Sequence, residues 1–140
     1  MSVQSQYLLD TNILSETRKK QADERVISFL SSTEPSTLYI SVLTLGELRK
    51  GVALKKRSDK DAAKKIAAWV DGLEFSFSDR ILGIDAATAS LWGELSAQRP
   101  RPVIDTLLAA TAIVHELTLV TRNTGDVRDI DLRLLDPWKK

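Results

Sequence analysis

Acidic side chains are the residues of this sequence that could do chemistry. The chain contains 19 aspartates and glutamates, no cysteine and a single histidine, His115. Without cysteine there can be no thiol nucleophile or disulfide, and one histidine cannot build a structural zinc site. A Ser–His–Asp triad would have to use His115, and no nucleophile-elbow pattern accompanies it. The composition therefore favours divalent cations that prefer oxygen ligands, such as Mg²⁺ or Mn²⁺.

Four of these acids follow predicted strands or lie near the start of predicted helices, although they span most of the chain. They are Asp10, Glu47, Asp105 and Asp126. Ligands of an open parallel sheet bind beyond the carboxyl ends of its strands, so we expect these carboxylates at one edge. Like charges held close together raise one another's pKa, and a divalent cation reverses that cost. The pattern predicts a metal site suited to phosphoryl chemistry.

Each of the four acids also has a structural explanation when it is considered alone. Asp10 could form an Asx-turn after its strand, and Asp126 could belong to an ordinary turn. Thr44-Leu45-Gly46-Glu47 matches a capping box, in which Glu47 would bond back to the helix backbone. Asp105 could be an acid favoured by the helix dipole. Their shared placement at strand ends and helix starts favours the functional explanation for the set.

The elements that must position the acids alternate along the chain. Short apolar runs predict strands near residues 7–9, 38–40, 81–84, 117–120 and 134–135. Apolar spacing predicts helices over residues 23–30, 42–55, 59–73, 86–98 and 103–115, the last of them buried, and the residues from Asp10 to Asn12 are predicted to form a loop. This alternation predicts a three-layer α/β/α sandwich around a mostly parallel sheet of four to five strands. With no repeat or linker, we expect residues 1–140 to form a single domain.

Charge and hydropathy limit the partners that we expect. No apolar run approaches the roughly 18 residues needed to cross a bilayer. The polar start of the chain, residues 1–6, lacks a signal-peptide pattern, so we expect a cytoplasmic protein with no membrane contact. The net charge is only +1, so any nucleic-acid contact depends on local charge. Eight basic residues between positions 49 and 65 form either a solvated face or a phosphate-binding rim.

Four blocks of the sequence resemble the signatures of the PIN-domain nucleases, in the order of that family. They are residues 7–13 (YLLDTNI), 40–51 (ISVLTLGELRKG), 104–112 (IDTLLAATA) and 119–126 (LVTRNTGD). The resemblance covers essentially the whole chain. It is nearest to the VapC-type toxins of bacterial toxin–antitoxin pairs, in the branch typified by FitB. The tail of this chain, Asp136-Pro137-Trp138, also resembles that branch. One departure is Val127, because an aromatic residue commonly follows the final acid; we expect the packing behind that loop to differ.

The resemblance implies a toxin that is a metal-dependent endoribonuclease. The catalytic, metal-binding acids would be Asp10, Glu47, Asp105 and Asp126, with Mg²⁺ or Mn²⁺ as the cofactor. Supporting polar groups would be Thr11, Asn12, Thr121 and Asn123. A metal-activated water would attack the RNA phosphodiester, leaving a 5′-phosphate and a 3′-hydroxyl. Candidates for contact with RNA phosphates are Arg49, Lys50 and Arg122. The resemblance further implies a homodimer and inhibition by a cognate antitoxin, with operator DNA bound only through that antitoxin.

Two other functions stay open from the sequence. A toxin-like partner could act mainly in a DNA-binding regulatory complex with little nuclease activity, although the presence of all four acids argues against a degenerate site. A receiver or phosphatase relative could use Asp10 as a nucleophile. The sequence lacks the Asp-x-Asp loop that would support this last alternative, and it has the later PIN-like blocks.

Overall fold

Five parallel strands form the central sheet of the computed structural model, which describes residues 5–139. The strands are β1 (Tyr7–Leu9), β2 (Leu38–Ser41), β3 (Ile81–Leu82), β4 (Thr118–Val120) and β5 (Leu134–Leu135), and their order in the sheet is β3-β2-β1-β4-β5. All four neighbouring pairs are parallel, which confirms the predicted sheet. Most of the polar start of the chain, residues 1–4, lies outside the described residues, as does Lys140.

Helices connect the strands throughout the described residues. They are α1 (Thr11–Glu16), α2 (Glu24–Ser32), α3 (Val42–Lys56), α4 (Lys60–Ser76), α5 (Ala86–Gln98) and α6 (Val103–Val114), with 3₁₀ turns at Pro35–Thr37 and Thr124–Val127. In residues 5–139 none of these helices combines the length and the apolar character needed to span a bilayer. Five of the six starts are capped by a side chain that accepts a backbone N–H; α6, which begins after Pro102, is not.

The predicted loop from Asp10 to Asn12 is wrong, because α1 begins there. Asp10 is the N-cap of α1, and its carboxylate accepts the Thr11 N–H at 2.7 Å. Ile13 and Leu14 form the buried side of this helix. Six residues are too few for a clear helical period in the sequence, so the polar residues at the helix start looked like a loop.

The strand side chains alternate between two hydrophobic cores, one on each face of the sheet. Leu9, Ile40 and Val120 belong to a core that includes residues of α2, α3 and α4. Leu8 and Leu119 belong to a second core that includes residues of α5 and α6. Because successive residues of a strand point to opposite faces, this division places helices on both sides of the sheet. The predicted α/β/α arrangement is confirmed.

The order of the strands reverses at β1. The chain builds outward from β1 to β2 and β3, and it then returns to place β4 on the other side of β1. Leu9 pairs with Val120, and the Asp10 N–H donates to the carbonyl of Val120 at 2.9 Å. The carboxyl ends of β1 and β4 therefore meet at the topological switch point, where open α/β sheets bind their ligands.

Two arginines around Asp129 tie the segment after β4 to the connection between α5 and α6. Arg99 and Arg101 each make two hydrogen bonds to the Asp129 carboxylate, at 2.9–3.1 Å. Their guanidinium groups, with Arg99 the larger contributor, hold the pKa of Asp129 well below its usual range. The Arg101 side chain is only 1% exposed, and its Nε donates to the carbonyl of Leu95 at 2.8 Å. Arg99 also donates to the backbone carbonyl of Asp126, which anchors that residue's loop.

We expect Arg101→Met to lower the free energy of unfolding by about 2 kcal/mol, because it removes charge-assisted hydrogen bonds while keeping most of the apolar packing. Urea unfolding followed by circular dichroism measures this change. Arg128→Met is the matched control, since Arg128 is exposed and has no ion pair among residues 5–139. Equal unfolding midpoints for the two variants would show that the Asp129 network does not stabilise the fold.

Candidate active site

Asp10 is the best-anchored acid of the site. Its side chain lies at the carboxyl end of β1, and the residue is only 5% exposed. One carboxylate oxygen accepts the Thr11 N–H, and the other accepts the Thr121 hydroxyl at 2.7 Å. An Asx-turn, as expected from the sequence, would accept the N–H two residues on, whereas this bond goes to the adjacent Thr11 and belongs to the cap of α1. The second bond joins positions 111 residues apart in the sequence and fixes the carboxylate at the switch point.

Glu47 reaches the same site from α3. Its carboxylate accepts the Thr11 hydroxyl at 2.5 Å, so Thr11 connects Glu47 with Asp10. The capping-box explanation for Glu47 is wrong. Ser41 caps α3 by accepting the Leu43 N–H, and the buried Thr44 hydroxyl, inside the helix, has no hydrogen-bond partner among the described residues.

Asp105 shows that the four acids lie close to one another. Burial raises the pKa of Asp105 to about 6, and repulsion from Asp10, Asp126 and Glu47 adds to the rise. Asp105 lies in the first turn of α6, as the helix-dipole explanation requires. That explanation covers only its position on the helix. It does not account for the repulsion by three other carboxylates, which is the cost expected of an acid cluster.

Asp126 lies in the exposed 3₁₀ turn after β4. Val127 beside it is 1% exposed and packs into the second core, so an aliphatic side chain fills the space behind this turn. The Asn123 N–H donates to the Thr121 hydroxyl, so the turn is connected to Asp10 through Thr121. A cavity of about 10 Å³ lies among these groups, with room for about one water or small ion. Its lining residues are Asp10, Asp105, Leu108, Leu119, Thr121, Asn123 and Val127.

The acids suit a hydrated ion better than a closed cage. Within residues 5–139, no three Asp, Glu, His or Cys side chains are grouped closely enough to hold one metal ion directly. The available donors are nevertheless carboxylate oxygens that repel one another, and two of the acids, Asp10 and Asp105, line the small cavity. Mg²⁺ prefers such hard ligands and keeps several of its waters in proteins, so one or two direct carboxylates suffice. The residues present therefore fit Mg²⁺ or Mn²⁺ bound partly through water.

The other predicted residues divide between the acid cluster and its surroundings. Arg49 binds Asp71 and Glu74 of α4 at 2.7 and 3.1 Å, so its guanidinium already serves as a tie between helices. Lys50 is exposed on α3. Asn12 and Arg122 do not line the small cavity; they lie in a neighbouring cleft.

Sequence reasoning missed the two arginines that bind Asp129, one of which, Arg99, also anchors the backbone of Asp126. Arg99 and Arg101 lie beside Pro100 and Pro102, which the sequence marks only as a loop. Their common partner, Asp129, is about thirty positions away in the sequence. Spacing along the chain carries no signal for such a tertiary pair.

Two curated relatives align with nearly the whole chain. Toxin FitB of Neisseria gonorrhoeae is 35% identical over 140 residues, which cover 94% of this chain and 97% of the relative. A VapC ribonuclease of Sinorhizobium fredii is 30% identical over 141 residues, with 94% and 97% covered. Both alignments are therefore nearly full-length on each side.

Solved structures and a family model agree with these alignments. FitAcB from Neisseria gonorrhoeae superposes with a TM-score of 0.87 at 31% identity, over 96% of this chain and 99% of the other. FitAB bound to a DNA fragment gives a TM-score of 0.85 at 31% identity, over 96% of both chains. Residues 7–131 match the model of the PIN domain. The switch-point fold, the alignments and this match together establish that the chain belongs to the PIN domain family.

Proposed function

We propose that this chain is the toxin of a bacterial toxin–antitoxin pair and acts as an Mg²⁺- or Mn²⁺-dependent endoribonuclease. The observation that carries the proposal is the convergence of four acids at the switch point of the sheet, where repulsion from Asp10, Asp126 and Glu47 adds to the rise that burial causes in the pKa of Asp105. A fold gains nothing in stability from such repulsion, so the cluster has a functional reason. Relatives that are named a toxin and a ribonuclease support the same conclusion.

The proposed metal-binding and catalytic residues are Asp10, Glu47, Asp105 and Asp126. A divalent ion bound by them would supply a Lewis acid and a water of lowered pKa for hydrolysis of an RNA phosphodiester. Thr11 holds Glu47 in place, and Thr121 holds Asp10, so both carboxylates are oriented before any ion arrives. Asp105 carries a proton below about pH 6, and it would release that proton on binding a cation.

The proposal includes the partners of the toxin. The DNA-bound FitAB structure and related toxin–antitoxin complexes support a cognate antitoxin that binds this chain, and contact with operator DNA through that antitoxin. A homodimer of the toxin belongs to the same proposal. Residues 1–140 would act as one nuclease domain in the cytoplasm.

RNA cleavage by purified protein tests the activity. We expect cleavage of structured or unstructured RNA with Mg²⁺ or Mn²⁺ and none with chelator. Asp10→Asn and Asp105→Asn should each lower the rate at least about 100-fold, because even residues that only support metal ligands cost 10–100-fold when removed.

Asp61→Asn is the matched control for the acid variants, since Asp61 is an exposed acid in the first turn of α4. It should cleave at the rate of the unsubstituted protein. Cleavage that survives chelation, or that persists in both acid variants, would contradict a metal-dependent site. An inactive control would show that the losses are not specific to the cluster.

The raised pKa of Asp105 predicts how stability depends on pH without metal. The folded state holds the proton up to about pH 6, whereas the unfolded chain releases it near 3.8, so this group makes the protein less stable as pH rises between those values. We expect Asp105→Asn to remove this part of the slope in thermal melts recorded without metal. Mg²⁺ should raise the Tm more at about pH 7 than at about pH 5, because protons compete with the ion below the pKa. A Tm that is independent of metal at both pH values would contradict the site.

A further inference from the structure

A second cleft lies beside the acid cluster, between α1 and the C-terminal tail. Its volume is about 260 Å³, and its lining residues are Asn12, Ser15, Glu16, Lys19, Arg122 and Trp138. Asn12 is the second residue after Asp10, and Arg122 directly follows Thr121. The cleft and the acid cluster are therefore built on the same two backbone segments and are neighbours.

Arg122 is held over the cleft by an aromatic platform. Its guanidinium carbon lies 5.0 Å from the centre of the Trp138 ring, within cation–π distance. Trp138 is 7% exposed and belongs to the same core as Leu9 and Val120. The backbone N–H of Trp138 donates to the Asp136 side chain at 2.9 Å, which anchors the tail. A guanidinium held in this way loses less conformational entropy when it binds a ligand.

The positive charge of Arg122 has no carboxylate partner among residues 5–139. The other cation of the cleft is compensated, because Lys19 pairs with Glu16 at 3.0 Å. Glu16 is buried and also accepts the Asp23 N–H, so its carboxylate serves the fold. The cleft is left with one uncompensated guanidinium, the Asn12 amide and the Ser15 hydroxyl. These groups can donate hydrogen bonds to an anionic oxygen, and the planar fork of arginine matches phosphate.

We propose that this cleft binds the backbone phosphate next to the scissile bond of a single-stranded RNA, through Arg122. Trp138 is a positioning residue that holds the guanidinium in place. This inference rests on the proposed function, because the acid cluster must hold the scissile phosphate for its neighbour to reach the cleft. The Trp138 ring is buried and covered by Arg122, so the cleft reads the backbone and not a base. The contact is therefore independent of RNA sequence.

Salt dependence of RNA binding tests the phosphate contact. The probe is a short fluorescein-labelled single-stranded RNA of mixed sequence, titrated by fluorescence anisotropy at several salt concentrations with Mg²⁺. All proteins carry Asp105→Asn to prevent cleavage. We expect Arg122→Gln to reduce the slope of log affinity against log salt by about 0.7, the value for one phosphate contact on a single strand. Arg122→Lys should keep the slope and lose part of the affinity, since it retains only the charge.

Arg128→Gln is the matched charge control, because Arg128 is exposed on the same segment and does not line the cleft. It should keep the slope of the parent protein. An unchanged slope for Arg122→Gln, or an equal drop for the control, overturns the inference. The inference is also overturned if Arg122→Gln leaves RNA binding intact and instead weakens inhibition by the antitoxin, since the cleft would then serve a protein partner.

The role of Trp138 is separated from its part in the core by a double-mutant cycle. Trp138→Leu should weaken RNA binding when Arg122 is present and have no further effect together with Arg122→Gln. Trp138→Phe, which keeps an aromatic face, should restore binding. Equal losses in both backgrounds would indicate a purely structural role and overturn the positioning.

The outcome also separates this inference from the proposed function. If the unsubstituted protein cleaves RNA in an Asp105-dependent manner while Arg122→Gln binds normally, only the inference fails. If the unsubstituted protein neither binds nor cleaves RNA with metal, the proposed function fails and the inference fails with it.

Discussion

The site depends on the two hydrogen bonds that hold the buried Asp10 carboxylate. A buried carboxylate needs hydrogen-bond donors on both oxygens. Here one donor is the N–H of the adjacent Thr11, and the other is the hydroxyl of Thr121, which is 111 positions away in the sequence. Only a sheet that places β4 beside β1 can bring Thr121 to Asp10. The same two threonines extend the network, because the Thr11 hydroxyl binds Glu47 and the Thr121 hydroxyl accepts from Asn123. The geometry of the site therefore depends on the order of the strands in the sheet.

The protein keeps the repulsion between its acids instead of cancelling it. The two arginines before α6, Arg99 and Arg101, do not form ion pairs with the carboxylates of the cluster. Arg99 binds the backbone carbonyl of Asp126, and both Arg99 and Arg101 form ion pairs with Asp129. This arrangement positions the loop of Asp126 without an ion pair to its carboxylate. The repulsion among the acids therefore persists, and it adds to the rise that burial causes in the pKa of Asp105.

Sequence patterns predicted those features that follow from local periodicity. The alternation of apolar strands and amphipathic helices gave the sheet, its layers and the shared edge of the four acids. It failed at α1, which is too short for a period, and at Glu47, because Ser41 caps α3 three residues before the apparent capping box. The partners of Arg49 and Arg101 come from tertiary packing, which the spacing of charges along one chain does not encode. Roles for individual residues came from the family resemblance and not from the patterns themselves.

The C-terminal tail contributes to the surroundings of the site, because it places Trp138 beneath Arg122. β5 lies beside β4 at the edge of the sheet, and the residues after it return Trp138 to the core that contains Leu9 and Val120. That ring lies beneath Arg122, which directly follows the threonine that holds Asp10. A local opening of β5 and the tail would therefore remove the platform of Arg122 and part of the packing behind both switch-point strands. Thr11, in the first turn of α1, holds Asp10 and Glu47, and Thr121 also holds Asp10, whereas the platform of Arg122 forms only when the tail is in place.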